Sequence, residues 1–174
     1  MEEKELLIKG NQYFIDLAKK DKELDYSLNE LVKGQHPSVL VITCSDSRVS
    51  PEEIFSLGLG YLFVIRTAGN VINEGELASV EYGIEHLHIN YVLVLGHTHC
   101  GAIHASIHNE KGKYLDPILK KIKKNILEEK DELEASKKNT LEEVKYLKDK
   151  FPEYKGTFEA AIYDLETRKV NFLE

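Results

Sequence analysis

Cys44, Asp46 and Arg48 stand at alternate positions where the apolar run 39–43 ends, and His97 and Cys100 follow a second apolar run, 91–95. In an extended chain such spacing sends all three side chains of the first group to one side. A thiol, a carboxylate and a guanidinium are costly to gather at the buried end of a strand unless something there engages them. Two sulfurs and one imidazole nitrogen make a donor set suited to zinc, one ion per chain. Three donors are one fewer than a closed structural zinc site uses, so water or Asp46 must complete the tetrahedron. Water in that position has its pKa lowered to about 7 and becomes a nucleophile at neutral pH. Asp46 can accept a hydrogen bond from it, while the planar fork of Arg48 grips the carboxylate and keeps it ionised. With only two cysteines and no Cys-x-x-Cys pair, a zinc ribbon or finger is excluded by count.

The elements that must position these groups follow from periodicity. Residues 39–43 and 91–95 read as short buried strands, as do residues 61–66. Between them, Ser50, Pro51 and Glu53 signal a brief capped helix, and Leu77, Val80, Ile84 and Leu87 repeat at helical spacing over 76–88. Strands alternating with helices imply an α/β fold whose central, mostly parallel sheet is flanked by helices. Its ligands are expected beyond the carboxyl ends of the strands. Further helices are expected over 102–108 and 114–133, and Thr140 with Glu143 reads as a capping box for a last helix ending near Lys150. Residues 158–164 and 169–172 read as a C-terminal edge hairpin. Upstream, Leu6, Leu7, Tyr13, Phe14, Leu17 and Ala18 form a helical stripe that needs a surface to cover, on its own sheet or on a neighbouring subunit. A second short helix is expected over 22–32.

The chain of 174 residues, 42% apolar, supports one substantial core. It reads as a single domain, 1–174, with a helical N-terminal arm over 1–34, a site-bearing core over 35–110, and helices and edge strands over 111–174. A formal net charge of −7 excludes a basic nucleic-acid surface, and no stretch approaches the roughly 20 apolar residues of a membrane span. Without a secretory leader the expected compartment is the cytoplasm, where a Cys44–Cys100 disulfide, which would abolish the site, is disfavoured.

Cys44-x-Asp46-x-Arg48 after a strand, together with His97-x-x-Cys100-Gly101, resembles the β class of carbonic anhydrases. The likeness runs from about Gln35 onward and includes Ser50-Pro51-Glu52, Phe63-Val64-Ile65-Arg66, Ala68-Gly69-Asn70, Glu81-Tyr82 and the closing stretch 162–167. The resemblance implies zinc held by Cys44, His97 and Cys100, with Asp46 and Arg48 as the dyad that orients the nucleophile toward carbon dioxide. It implies a substrate region made by Gln35, Phe63, Tyr82 and Gly101, with Gln35 reaching bicarbonate across a dimer interface. A homodimer or a higher assembly of dimers follows as an expectation. Two departures stand out: Thr67 replaces the family's usual asparagine, and His99 puts a second imidazole beside the metal. A carbonyl sulfide or carbon disulfide hydrolase on the same scaffold, or a noncatalytic zinc or bicarbonate-binding module, remain open alternatives at this point.

Overall fold

The computed structural model describes residues 2–20 and 28–174. Among the described residues, five strands form one sheet in the order β2-β1-β3-β4-β5. They are β1 (Val39–Cys44), β2 (Leu62–Thr67), β3 (Tyr91–His97), β4 (Thr157–Tyr163) and β5 (Val170–Phe172). The first four run parallel, and only β5 pairs antiparallel, closing the edge hairpin expected from the sequence. In β1 and β3 every residue after the first is buried, as a parallel strand covered on both faces requires. Leu40, Ile42, Val92 and Val94 pack on one face with Val80, Ile84, Val144 and Leu147. Val41, Leu93 and Leu95 pack on the other with Val49, Ile54 and Phe55.

The helices are α1 (Glu2–Lys20), α2 (Leu28–Lys33), α3 (Pro51–Ile54), α4 (Glu74–Glu81), α5 (Gly101–Ile107), α6 (Asp116–Ile126) and α7 (Glu132–Lys150). None among the described residues is long and apolar enough to cross a membrane. Leu6, Leu7, Ile8 and Tyr13 of α1 are exposed, so the stripe expected there does not lie on this chain's own sheet. The side chains of Leu17 and Ala18, and residues 22–27 of the expected second helix, lie outside what is described. The helix expected over 76–88 starts two residues earlier, where the Asn73 N–H donates to Glu76 Oε2 (2.8 Å). It finishes as a π-helical stretch, Tyr82–His86.

Two boundaries differ from the sequence reading. The periodicity over 114–133 is broken at Leu127 (φ 57°), a conformation that L side chains seldom adopt, so α6 stops there. Helix α7 then begins at Glu132 behind the N-cap Asp131, whose side chain accepts from the Glu134 N–H. Thr140 and Glu143, expected as a capping box, are thus mid-helix and fully buried. Thr140 Oγ1 donates to the Ser136 carbonyl (2.8 Å), and Glu143 enters a polar cluster. The motif misled because Ser/Thr-x-x-Glu is also a helix-interior pair that faces inward when the neighbours are polar. At α3, Ser50 does stand at the N-cap with Pro51 behind it, but its side chain makes no capping bond.

Close approach of α7 to the sheet depends on Gly96, where a Cβ would collide with Thr140 Oγ1 and come 2.8 Å from Ile162 Cδ1. Gly96→Ala is expected to cost about 2 kcal/mol of stability, read as a lower urea midpoint at unchanged slope. An unmoved midpoint would mean that α7 is not seated as tightly as this contact implies.

Candidate metal centre

Strands β1 and β3 are neighbours, with Thr43 opposite Leu95, so Cys44 at the end of one and His97 at the end of the other come together beyond the carboxyl edge. The chain then turns through Thr98 and His99 (φ 55°) and delivers Cys100 as the N-cap of α5. Cys44, His97 and Cys100 are all buried, with one ligand atom from each lying within 4.8 Å of the others. The two sulfurs are 3.9 Å apart, and both are free thiols. Donors at the usual 2.3 Å zinc–sulfur length and tetrahedral angle stand about 3.8 Å apart, so the pair is spaced as one ion needs. His97 Nδ1 donates to the Thr98 carbonyl (2.8 Å), which places the lone pair on Nε2. That Nε2 is buried with no hydrogen-bond partner, a cost that coordination would remove. Donor chemistry, sulfur spacing and this orphaned nitrogen therefore fit zinc.

The sulfurs also act on each other. A hydrogen bond from Cys100 leads the effects that hold Cys44 down to about 4. The nearby His97 ring and the backbone N–H groups of Asp46 and Gly69 add to it, against burial. The same sharing, and then burial, push the Cys100 thiol up. A dication between the two sulfurs would satisfy both.

Asp46 and Arg48 meet, though not because of strand alternation. Strand β1 stops at Cys44, and residues 46–49 form a turn in which the Arg48 and Val49 N–H groups bond back to Asp46. Arg48 Nε donates to Asp46 Oδ1 (2.9 Å) and Nη2 to Oδ2 (2.7 Å), the bidentate fork anticipated from residue types. These bonds hold the Asp46 carboxyl well below the usual carboxylate range. Oδ2 lies 4.0 Å from His97 Nε2, so the carboxylate borders the metal position while both its oxygens are occupied by Arg48. Nη2 also donates to the His99 carbonyl (3.1 Å), tying the loop after β1 to the loop after β3. The ambiguity raised by a second imidazole is resolved by position: the His99 ring is exposed, with Nε2 on Glu166 (3.2 Å).

The expected substrate residues divide. Gly101 opens α5 beside Cys100, with open space where a Cβ would stand, so packing alone does not demand glycine there. Phe63 is opposite Leu40 near the amino end of the sheet, where its ring lies 6.1 Å from that of Tyr82, itself stacked on His86. Four residues of strand separate Phe63 from the level of Cys44, about 13 Å at the usual rise. Gln35 is exposed on the segment before β1, at the far end of that strand from Cys44. Within one chain, then, Gln35, Phe63 and Tyr82 are not brought to the Cys–His–Cys group.

Sequence reasoning missed Arg66, which donates from Nε to the Cys44 carbonyl (3.1 Å) and from Nη2 to the Asp46 carbonyl (2.7 Å), setting the path of the ligand loop. An arginine at the end of an otherwise apolar strand was the available signal.

Comparison with known proteins agrees with this geometry. A family model described as carbonic anhydrase matches residues 39–154. The carbonic anhydrase of Synechococcus elongatus is 56% identical over 80 residues, 42% of this chain and 29% of that one. Carbonic anhydrase 2 of Mycobacterium tuberculosis is 40% identical over 104 residues, 58% of this chain and 49% of that one. This chain therefore spans less than half the length of either curated relative. Among solved structures, the β-carbonic anhydrase CcaA superposes with a TM-score of 0.85 at 29% identity, covering 99% of this chain and 92% of that one. The β-carbonic anhydrase CafA of Aspergillus fumigatus gives 0.80 at 25% identity, covering 100% and 91%. With two thirds of its length matched by the family model and its fold shared with solved β-carbonic anhydrases, this chain belongs to the β-carbonic anhydrase family.

Proposed function

We propose that this chain is a zinc enzyme for the reversible hydration of carbon dioxide to bicarbonate and a proton. The observation that carries this reading is the buried, unpartnered His97 Nε2 facing two free thiols, with the Asp46 carboxylate at its border. Cys44, His97 and Cys100 hold the ion. When bound, zinc acts as a Lewis acid that lowers the pKa of water to near 7. Asp46 accepts the O–H hydrogen of the attacking water and so directs its lone pair. Arg48 keeps that carboxylate ionised and immobile, and the Thr98 carbonyl holds His97 in the ligating tautomer. The test is stopped-flow hydration of carbon dioxide by protein of measured zinc content, before and after chelation. Activity that follows zinc at one ion per chain supports the proposal, and zinc-loaded protein without turnover ends it.

The working unit on this reading is a homodimer or an assembly of dimers. Support comes from the separation of Gln35, Phe63 and Tyr82 from the metal position in one chain, and from the exposed apolar side chains of α1. A second copy supplies both the missing substrate residues and a cover for α1. Gln35→Ala is then expected to lower kcat/KM about tenfold at unchanged zinc content. Sedimentation should show dimers or larger species. A fully active monomer would remove Gln35 from the site.

A further inference from the structure

One hydrogen bond to a metal-binding sulfur comes from outside the ligand loops. The Gly69 N–H donates to Cys44 Sγ at 3.2 Å. Gly69 is in the left-handed region (φ 67°, ψ 24°), and a Cβ there would come within 2.8 Å of Ile122 Cδ1, so both conformation and space require glycine. What holds that backbone in place is a set of side chains far along the sequence. Asn139 Nδ2 donates to the Gly69 carbonyl (2.9 Å), and Asn139 is completely buried. Its amide has one possible orientation, because Asn125 Nδ2 donates to Asn139 Oδ1 (3.0 Å) and so leaves the Asn139 amino group facing Gly69. Asn125 is oriented in turn by Glu143, whose Oε1 accepts its second N–H (3.0 Å).

Glu143, also completely buried, has its other oxygen on Lys121 Nζ (2.8 Å) and on the Ile72 N–H (3.2 Å), while Lys121 Nζ donates as well to the Ile72 carbonyl. Helices α6 and α7 therefore each present two polar residues at i and i+4, Lys121 with Asn125 and Asn139 with Glu143. All four converge on the segment 69–72 behind Cys44. A buried cluster of this kind is costly unless every member is satisfied, and every polar atom just named has a partner.

We propose that Asn139 is a positioning residue for the metal centre: through the Gly69 carbonyl it fixes the Gly69 N–H on Cys44 Sγ, and Asn125 and Glu143 fix Asn139. The proposal rests on the reading of Cys44 as a zinc ligand, and it concerns the donor strength and direction of that sulfur rather than any contact with substrate. An N–H bond to a thiolate draws charge from it and stops the side chain from rotating. Its loss makes the sulfur a looser, more electron-rich ligand.

The experiment compares wild type with Asn139→Asp, a near-isostere that when ionised cannot donate to the Gly69 carbonyl, and with Asn125→Ala, which frees the Asn139 amide at a half-buried and more tolerant position. Two readouts are taken on folded protein. In cobalt-substituted samples the sulfur-to-metal charge-transfer band is expected to move to lower energy in both variants, and zinc affinity to fall by roughly 10–100-fold. In metal-free protein, hydrogen exchange of the Gly69 amide is expected to quicken roughly tenfold. An unchanged band together with unchanged Gly69 exchange in either folded variant would overturn the proposal. A wild type that shows no thiolate band, yet whose protected Gly69 amide is released by Asn139→Asp, would instead strike the zinc reading and leave the positioning of Gly69 standing.

Discussion

His97→Ala is expected to strip the protein of zinc and reduce carbon dioxide hydration to background. His97 alone contributes nitrogen to the cluster, and its Nε2 is buried without another partner. Full zinc sites of four protein donors bind with roughly 10–16 kcal/mol, so one donor is worth about 2.5–4 kcal/mol, or roughly a hundred- to a thousandfold in affinity. His99 is no substitute, because its ring lies outside on Glu166 and its backbone carbonyl is held by Arg48. Metal analysis after gel filtration reads the outcome, with circular dichroism to show that the sheet survives. Retention of one zinc per chain would remove His97 from the ligand set.

Asp46→Asn should behave in the opposite way with respect to metal. The three donors are untouched, so zinc stays. The amide cannot carry the charge that accepts two guanidinium bonds, and it can present an N–H where an acceptor is needed. A positioned proton acceptor contributes roughly 10²–10⁴-fold to rate, and a loss of about a hundredfold or more is expected here, falling on kcat and kcat/KM alike. Full zinc with full turnover would reduce the Asp46–Arg48 pair to a structural tie between the two loops. The contrast between the two substitutions separates holding the ion from using it.

How much of this was legible beforehand depended on whether the signal was local. The alternation of apolar runs with helical periods led to a parallel α/β sheet, because strands buried on both faces have no polar positions to obscure them. The metal cluster was legible because its residue types are unusual at strand ends. Its detail was not: Asp46 and Arg48 meet through a turn, and alternation along an extended strand had no part in it. The break at Leu127 left no mark in the pattern, since Lys and Glu continue on both sides of it. Thr140 and Glu143 have the right spacing for a helix start and are instead the buried interior of a longer helix. Nothing in the sequence singles out Asn125 or Asn139, and only the packing of α6 against α7 shows that their amides face each other. Gln35, Phe63 and Tyr82 were grouped by resemblance, while the register of β1 with β2 sets the first two at the far end of the sheet from the sulfurs.

The distribution of donors over two neighbouring strands has a consequence for how the chain matures. Cys44 and Cys100 are 56 residues apart in sequence, and the latter is reached only through β3. A slip of β3 by one position against β1 would turn His97 to the opposite face of the sheet, leaving a pair of thiols with no nitrogen between them. On the proposed zinc reading, uptake of the ion would be a check on strand alignment, since an ion retained through dialysis would report a correctly threaded sheet. On the zinc reading, free metal at a hundred times its dissociation constant would add about 2.7 kcal/mol to the stability of the aligned sheet.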